Sequence, residues 1–204
     1  MLRGSQGCVS FALMNGYAVK PLDASTWSEF ALLVERHNGV WGGCWCMGFH
    51  AKGPGWGVSA ALNRSEKEQL VAEGRAQAAL VFEGGDCVGW CQFGPTRELP
   101  RIKSLKAYQA GLTGLPDWRI TCFYVDKKHR GQGIARAALE GALDQIAQAG
   151  GGLVEAISEI TTGREAPGRF LFSATVELFE QFGFTRGRQV GKHAWIVSRV
   201  VDPV

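Results

Sequence analysis

One segment, CFYVDKKHRGQGIA over Cys122–Ala135, constrains the fold more than any other part of the chain. A β-type run ends at Val125, a short basic loop follows, and a helical pattern begins immediately after Gly133. Glycine at positions 131 and 133 lets the backbone turn tightly and approach a ligand closely. A helix that starts here directs unpaired N–H groups and the positive end of its dipole toward one point. The segment therefore predicts a strand–loop–helix unit that binds a diphosphate, and Lys127, Lys128 and Arg130 add positive charge to it.

Two well-known phosphate loops do not fit this segment. A Walker loop ends in Gly-Lys-Ser/Thr, which is absent here. A dinucleotide-binding fingerprint needs a third glycine where this chain has Arg136, and it usually lies near the start of a doubly wound sheet. The sequence therefore favours neither a nucleotide triphosphatase nor a nicotinamide-dependent enzyme.

Length and charge limit the class of protein. The chain has 204 residues, 46% of them hydrophobic and 20% charged, which suits one α/β domain over residues 16–204. We expect residues 1–15 to form a disordered or loosely attached N-terminal arm. A net charge of +3 is too small for a nucleic-acid-binding protein. No apolar run reaches the roughly 18 residues of a membrane helix, so we expect a cytoplasmic protein with neither nucleic acid nor membrane as a partner.

The cysteines do not predict disulfides or a metal site. A domain with this much hydrophobic material needs no disulfide staples, so we expect reduced and mostly buried thiols. No second Cys or His pair follows Cys44 and Cys46 at zinc spacing, and we predict no metal. The six cysteines are Cys8, Cys44, Cys46, Cys87, Cys91 and Cys122.

Hydrophobic periodicity predicts a mixed sheet flanked by helices. Strands are expected at Tyr17–Pro21, Gln77–Phe82, Cys87–Phe93, Trp118–Val125, Leu153–Ile157 and Ala194–Val201. Helices are expected from Asp23 or Ser25 to Arg36, from Asn63 or Ser65 to Gly74, over Gly133–Ala149 and over Phe170–Phe182. The long segment Gly94–Asp117 is expected to contain a helical turn at Ser104–Gln109, and a loop of this length tends to be functional.

Two motifs together resemble the GNAT superfamily of acyl-CoA-dependent N-acetyltransferases. Arg130–Ala135 is similar to the family pattern Arg/Gln-x-x-Gly-x-Gly/Ala, and it follows a strand and opens a helix. Val176–Phe184 resembles the second family signature, a helix that ends in Leu-Tyr-x-x-x-Gly-Phe. The two motifs stand in the order and at the separation typical of the family.

The resemblance implies a fold and a mode of cofactor binding. It implies a mixed, mostly antiparallel twisted sheet with a central V-shaped splay, in which coenzyme A (as acetyl-CoA) lies and pairs with the exposed strand backbone. The final strand of such sheets often pairs across a homodimer. The residues implied to bind the cofactor are Phe123, Tyr124, Val125, Lys128, Arg130, Gly131, Gln132, Gly133, Ile134 and Ala135.

The implied reaction is transfer of an acetyl group to a primary amine of a small molecule or peptide, by direct attack on acetyl-CoA. Members of the family often use the Tyr of the second motif as the general acid, but this chain has Phe179 there. An Asn often found near the start of the same helix is replaced by Phe172. Two alternatives therefore stay open: a catalytically weak acyl-CoA-binding regulatory module, and an acyltransferase with another acyl donor or acceptor.

Carboxylates after the phosphate-binding helix are candidate general bases, because the attacking amine must lose a proton. Glu155 is preferred because it alternates with Leu153 and Ile157 and so shares their strand face. Glu159, just beyond that strand, and Asp117 are further candidates. The alternative for Glu155 is a solvent-facing surface residue.

The aromatic, glycine-rich loop Gly39–Gly57 is the candidate acceptor site. Trp41, Trp45 and Trp56 could wall an amine pocket through cation–π contacts, or they could cover the core. The segments Arg97–Tyr108 and Thr161–Arg169 are also expected on the acceptor side.

Overall fold

The structure is a computed structural model that describes residues 13–14, 16–51, 59–163 and 171–204. The strands are β1 (Leu13–Met14), β2 (Tyr17–Pro21), β3 (Gln77–Glu83), β4 (Asp86–Pro95), β5 (Trp118–Val125), β6 (Gly152–Glu159), β7 (Thr185–Gln189) and β8 (Ala194–Val201). The α-helices are α1 (Trp27–Glu35), α2 (Ala60–Ala72), α3 (Leu105–Gln109), α4 (Ile134–Gln148) and α5 (Val176–Glu180). None of the helices in these ranges is long and apolar enough to cross a membrane.

Within the described residues the strands form one sheet in the order β1-β2-β3-β4-β5-β6-β8-β7. Every neighbouring pair is antiparallel except β5 and β6, which run parallel. Parallel neighbours need a crossover connection, and α4 supplies it. The expected fold class, a mixed and mostly antiparallel sheet flanked by helices, is confirmed.

The starts of the first two helices differ from those expected. Thr26, rather than Asp23 or Ser25, is the N-cap of α1. Helix α2 starts before Asn63, because the Ser59 hydroxyl accepts the N–H of Leu62 and caps the helix there. Asn63 itself is buried, and its side-chain amide donates to the carbonyl of Gly43. Asn63, which the sequence indicated as a possible helix start, therefore holds the loop at Gly43 instead.

The last helix is shorter than the predicted Phe170–Phe182. Ala174 has a left-handed backbone with φ of 56°, which a continuous helix cannot contain. Helix α5 therefore begins only after Thr175, whose hydroxyl accepts the N–H of Leu178. Strand β7 was not predicted because it is exposed and polar, and it lacks apolar alternation. Of the expected N-terminal arm over residues 1–15, the structure describes only the two residues of β1.

The sheet carries a hydrophobic core on each face. Helix α4 covers one face with Ile134, Leu139 and Ile146, which are buried against β3, β4 and β5. Strand β4 has Gly89 under this helix, where a Cβ would collide with the Ile134 side chain. Helix α1 and the segment after it cover the other face. Helix α4, which starts at the phosphate-binding loop, thus packs directly on the central strands.

The second core contains buried polar groups. The Lys67 ammonium is buried and lies 2.9 Å from Gln92 Oε1 and 3.3 Å from His50 Nε2. Burial lowers the pKa of Lys67 and lowers the pKa of His50 to about 2. Cys46 and Cys122 place their Sγ atoms 3.1 Å apart beside this cluster.

Five cysteines fall within the described residues, and all five are free and buried, as expected. Burial raises the pKa of Cys87 to about 12 and that of Cys91 well above its usual value. No group of three or more potential metal ligands occurs in the part of the chain that the structure describes.

Candidate active site

The central strands separate from one another partway along β5. Strands β5 and β6 pair only from Trp118–Val154 to Ile120–Ala156. Thr121 then forms a β-bulge, because β4 pairs Gln92 with Cys122 and Phe93 with Ile120. Beyond the bulge, β5 remains paired with β4, while β6 separates from β5 and stays paired with β8. This divergence is the splay that the fold expectation required.

The loop after β5 carries the features expected of a phosphate-binding turn. Gly131 and Gly133 have φ angles of +76° and +85°, which favour glycine, and a Cβ on either would meet no protein atom. The first hydrogen bond of α4 runs from the Ala137 N–H to the Gly133 carbonyl. The N–H groups of the three preceding residues therefore point out of the helix, toward a cleft of about 380 Å³.

Asp126 fixes this loop to the protein. Its carboxylate accepts the N–H of Lys128 and lies 3.3 Å from His37 Nε2 and 3.6 Å from Arg36 Nη2. Burial alone would raise the pKa of Asp126, but the Lys128 N–H and the neighbouring His37 and Arg36 hold it below its usual range. An ionised Asp126 thus holds the start of the loop.

The other loop residues that were expected to bind the cofactor do not all face the same cavity. Arg130 lines the cleft at the start of α4 and the neighbouring cleft along β5. Lys128 faces a different cavity, beside Asp126. Gln132 accepts the Tyr17 hydroxyl at its carbonyl, and its side chain donates to the Lys128 carbonyl. The Ile134 side chain is buried in the core, so only its main-chain N–H faces the cleft.

A second cleft, of about 220 Å³, runs along the exposed part of β5. Its lining residues are Trp41, Phe123, Tyr124, Val125, Arg130, Ala135, Leu171, Phe172 and Ala174. The Phe123 N–H, expected to be unpaired, donates to the Phe172 carbonyl over 2.6 Å. The segment after β6 therefore occupies a hydrogen-bonding position that the resemblance assigns to the cofactor.

Phe179 cannot supply a general acid near this cleft, and the Tyr124 ring is mostly buried. The Tyr124 ring stacks on Trp90 with a centroid distance of 4.9 Å, and burial raises its pKa to about 12. Phe179 is fully buried, and its ring packs against Phe123 and Phe184. Both side chains are part of the core.

The point where β5 and β6 separate encloses a narrow inner cavity of about 20 Å³. Its walls are formed by Phe49, Ile102, Lys103, Tyr108, Arg119, Ile120, Thr121, Glu155, Ala156, Ile157, Phe172 and Ser173. A volume of this size admits one water-sized group. The cavity therefore has room for a small functional group but not for a whole substrate.

Glu155, the preferred base, lines this inner cavity. The Tyr108 hydroxyl donates to Glu155 Oε2 over 2.8 Å. Burial raises the pKa of Tyr108, and the Glu155 carboxylate raises it further. Tyr108 is therefore a protonated donor at neutral pH, and it orients the carboxylate inside the cavity.

Glu159, the second candidate base, is engaged by a lysine. Lys103 Nζ lies 3.1 Å from Glu159 Oε1 and 2.9 Å from the Ser173 hydroxyl. Burial lowers the pKa of Lys103 although Glu159 opposes the shift. The remaining candidate, Asp117, accepts the N–H of Leu153 and lies away from the inner cavity.

An outer cavity of about 490 Å³ lies on the far side of Tyr108 and Arg119. These two side chains line both cavities and so form the wall between them. Leu105, Leu112 and Leu115 line the outer cavity. It is built mostly from the long segment Gly94–Asp117, of which the sequence analysis expected Arg97–Tyr108 on the acceptor side.

The tryptophans of the aromatic loop have different positions. Trp41 lines the cleft along β5, and its ring meets Phe172 edge-on with a centroid distance of 6.5 Å. Trp45 is 3% exposed and stacks on Trp27 within the core. Its burial favours the alternative that it covers the core, and we do not retain it as an acceptor-site residue. Trp56 lies outside the described residues, as do residues 164–169 of the segment Thr161–Arg169.

The four cavities form a series through shared walls. The cleft at the start of α4 and the cleft along β5 share Val125, Arg130 and Ala135. The cleft along β5 and the inner cavity share Phe172. The inner and outer cavities share Tyr108 and Arg119. The site therefore extends from the phosphate-binding loop past Glu155 to the outer cavity.

Three residues that the sequence analysis did not single out line the inner cavity: Lys103, Tyr108 and Arg119. Arg119 had a detectable signal, because it is a charged residue within the otherwise apolar run Trp118–Val125. Tyr108 and Lys103 lie in the segment of mixed composition before that strand, where no periodicity indicates which side chains turn inward.

Several solved structures have the same fold. The Salmonella typhimurium protein yncA, solved with its cofactor acetyl-CoA, is 16% identical and has a TM-score of 0.52, with 91% of this chain and 94% of that chain covered. A Corynebacterium glutamicum structure described as histone acetyltransferase HPA2 and related acetyltransferase is 14% identical and has a TM-score of 0.51, covering 91% and 96%. RimL, a ribosomal L7/L12 alpha-N-protein acetyltransferase, is 12% identical and has a TM-score of 0.51, covering 95% and 99%.

The model of the acetyltransferase (GNAT) family matches residues 51–184, which include the splay, the phosphate-binding loop and α5. A comparison with curated proteins found no match. Because the family model covers most of the chain and the sheet has the corresponding topology, the chain belongs to the GNAT family of acetyltransferases.

Proposed function

We propose that the protein transfers an acetyl group from acetyl-CoA to a primary amine, with Glu155 as the general base. The observation that supports this proposal is the series of cavities from the start of α4 to Glu155. The series places a phosphate-binding helix terminus at one end and a carboxylate held by Tyr108 at the other. Membership of the GNAT family supports acetyl-CoA as the acetyl donor.

Main-chain groups would hold the coenzyme. The free N–H groups at the start of α4 suit the diphosphate, and the Arg130 guanidinium at the same cleft adds a formal positive charge. The exposed part of β5 suits the pantetheine arm. Because the Phe172 carbonyl occupies the Phe123 N–H, the coenzyme must either displace this carbonyl or pair with the next free group, at Val125.

The reaction requires one proton acceptor at the amine. A free alkyl amine has a pKa of about 10 and is mostly protonated at neutral pH, so a base must deprotonate it before attack. The amine nitrogen then forms a bond to the thioester carbonyl carbon, the carbon–sulfur bond breaks, and the coenzyme leaves as a thiolate. Glu155 accepts the first amine proton, and Tyr108 keeps its carboxylate pointing into the inner cavity. The nitrogen loses its second proton to solvent as the amide forms.

The missing tyrosine at position 179 does not prevent this reaction. Phe179 packs in the core and has no proton to donate. A thiol has a pKa of about 8.5, below the value of about 10 for an alkyl ammonium, so a thiolate is a reasonable leaving group without a general acid. The thiolate therefore takes up its proton from solvent after it leaves.

Thiol release from acetyl-CoA, measured across a panel of primary amines, tests the proposal. The expected result is amine-dependent release at a rate well above hydrolysis, together with an acetylated amine detected by mass spectrometry. Coenzyme binding without release for any amine would contradict the proposal and would favour a regulatory module that binds acyl-CoA.

A further inference from the structure

Arg119 is a buried cation that forms no direct ion pair within the described part of the chain, although Glu155 lines the same inner cavity. Its side chain lies on β5, and the residue is 6% exposed. Arg119 Nη1 donates to the Leu99 carbonyl over 2.8 Å, and the guanidinium lies 5.5 Å from the centroid of the Tyr108 ring. No described carboxylate forms an ion pair with it. The Leu99 carbonyl and the Tyr108 ring are neutral groups, and burying a cation without an ion pair is costly, so this residue suits an anionic group that comes from outside the chain.

The position of Arg119 matches a substrate with charges of both signs. Arg119 on β5 and Glu155 on β6 are Cα partners in the parallel pair, and neighbouring strands lie about 4.8 Å apart. The two side chains both line the inner cavity, so a cation and a carboxylate are held side by side at one opening. The ammonium and carboxylate of an amino acid are separated by a similarly short distance. The pair is therefore complementary to a zwitterion, with its amine toward Glu155.

The size of each cavity restricts which part of the substrate each one holds. The inner cavity of about 20 Å³ admits one water-sized group, such as an amino group. The outer cavity of about 490 Å³ is in the range of small-molecule sites. Arg119 lines both cavities, which places its guanidinium where the amino group would join the rest of the molecule.

The outer cavity has apolar walls that are partly exposed. Leu105, Leu112 and Leu115 are 45%, 39% and 62% exposed and line this cavity, and Pro95 and Pro116 complete the apolar part of its surface. Exposed leucines that cluster around one concave surface indicate a binding site more often than a random patch does. An apolar side chain beside the carboxylate would cover them.

We propose that the acetyl acceptor is an α-amino acid with an apolar side chain. Its amino group enters the inner cavity at Glu155, its carboxylate binds the Arg119 guanidinium, and its side chain contacts the leucines of the outer cavity. The inference depends on the proposed acetyl transfer, and it names the substrate class of the same site. Charge-assisted hydrogen bonds from a guanidinium to a carboxylate are strong and directional, so the carboxylate should dominate selection.

Matched acceptors test the inference in the wild-type protein, by thiol release from acetyl-CoA. Leucine, 3-methylbutylamine (leucine without its carboxylate), leucinamide and glycine form the set. Leucine should have a kcat/KM at least about tenfold above that of each of the other three. If leucinamide or 3-methylbutylamine reacts as well as leucine, acetyl transfer stands but the carboxylate is not recognised, and the inference is wrong. If no amine reacts, the proposed function itself fails.

Two substitutions locate the recognition on Arg119. Arg119→Gln should raise the KM for leucine at least about tenfold and reduce the preference for leucine over 3-methylbutylamine to near one. Arg119→Lys retains a charge but not the paired donors, and it should keep an intermediate preference. Arg186→Gln, which removes an exposed arginine of β7, should leave the preference unchanged. An unchanged preference in both Arg119 variants would overturn the inference, and coenzyme affinity measured by calorimetry shows that each variant is folded.

Leu115→Ser tests the proposed contact between the apolar side chain of the acceptor and the outer cavity. The Leu115 side chain is too exposed to support the core. The variant should reduce the preference for leucine over glycine about threefold or more. A phosphate-bearing amine such as phosphoethanolamine completes the set. If it reacts better than leucine, Arg119 binds a different anion and the amino-acid assignment is wrong.

Discussion

The two ends of the site are built in different ways. At the cofactor end, one continuous segment from Asp126 to Ala135 provides the loop, the glycines and the helix terminus. At the acceptor end, Tyr108, Arg119 and Glu155 come from α3, β5 and β6, which are distant in sequence. Main-chain groups define the first end, and side chains define the second. A main-chain site can therefore be located from a short motif, whereas a side-chain site requires the fold.

Replacing the proposed base should have the largest effect, and it should be confined to the acceptor end. Glu155→Gln should lower kcat for amine acetylation about 100-fold or more, because a general base typically contributes 10² to 10⁴. The amide keeps the shape of the side chain and an acceptor for the Tyr108 hydroxyl, so coenzyme affinity should not change. Steady-state kinetics with calorimetric coenzyme titrations measure both quantities.

Glu159→Gln is the comparison for that experiment, because Glu159 is held by Lys103. It should reduce kcat less than about tenfold. A larger loss of kcat in Glu159→Gln than in Glu155→Gln would show that Glu155 is not the general base.

A comparison of Trp45 with Trp41 distinguishes a core tryptophan from one that lines the cleft along β5. Trp45→Ala should lower the free energy of unfolding by about 3–5 kcal/mol, because it removes a buried indole that stacks on Trp27. Trp41→Ala removes a half-buried ring at the cleft along β5 and should destabilise the protein far less. Chemical denaturation of both variants measures the difference. Equal and small losses would contradict the placement of Trp45 in the core.

Sequence patterns could predict the cofactor end because its information is local. Strand β5 and the start of α4 were located within one residue, since glycine, charge and apolar periodicity all change at the same place. Helix α5 was predicted too long, because the left-handed Ala174 that delays its start has no sequence signature. Tyr108 could not be predicted to meet Glu155, because their contact depends on how the 22-residue connection between β4 and β5 returns to the sheet.

Charge substitutions in the loop compare Arg130 with Lys128 at the cofactor end of the site. Arg130→Gln should weaken coenzyme A binding about tenfold, because it removes a cation from the cleft at the start of α4. Lys128→Gln should weaken binding less than about threefold, since Lys128 faces a different cavity. The Arg130 effect should also decrease at high salt. Equal effects of the two substitutions would mean that the loop binds phosphate by general charge rather than by geometry.

Glu177 provides the smallest predicted effect and a pH dependence. Burial alone would raise its pKa, but hydrogen bonds from its own N–H and from Thr162 and Thr161 lower it to about 2. A folded-state pKa below the unfolded value stabilises the protein at neutral pH, and this stabilisation is lost as the pH falls from about 4.5 toward 2. Glu177→Gln should lower Tm by about 2 °C at pH 7 and by less at pH 3. An equal change at both pH values would mean that the ionised carboxylate contributes nothing.

The central claim is that main-chain amides at the start of α4 bind the diphosphate of coenzyme A. Calorimetric titration of coenzyme A into the wild-type protein and into Gly133→Val tests it most directly, with Gly74→Val as a control that has a similar positive φ but lies away from the cleft. The account predicts saturable binding to the wild-type protein and to Gly74→Val, and an affinity at least about tenfold lower in Gly133→Val, because a β-branched residue resists φ of +85°. No binding to the wild-type protein, or equal affinity in all three proteins, would contradict the claim.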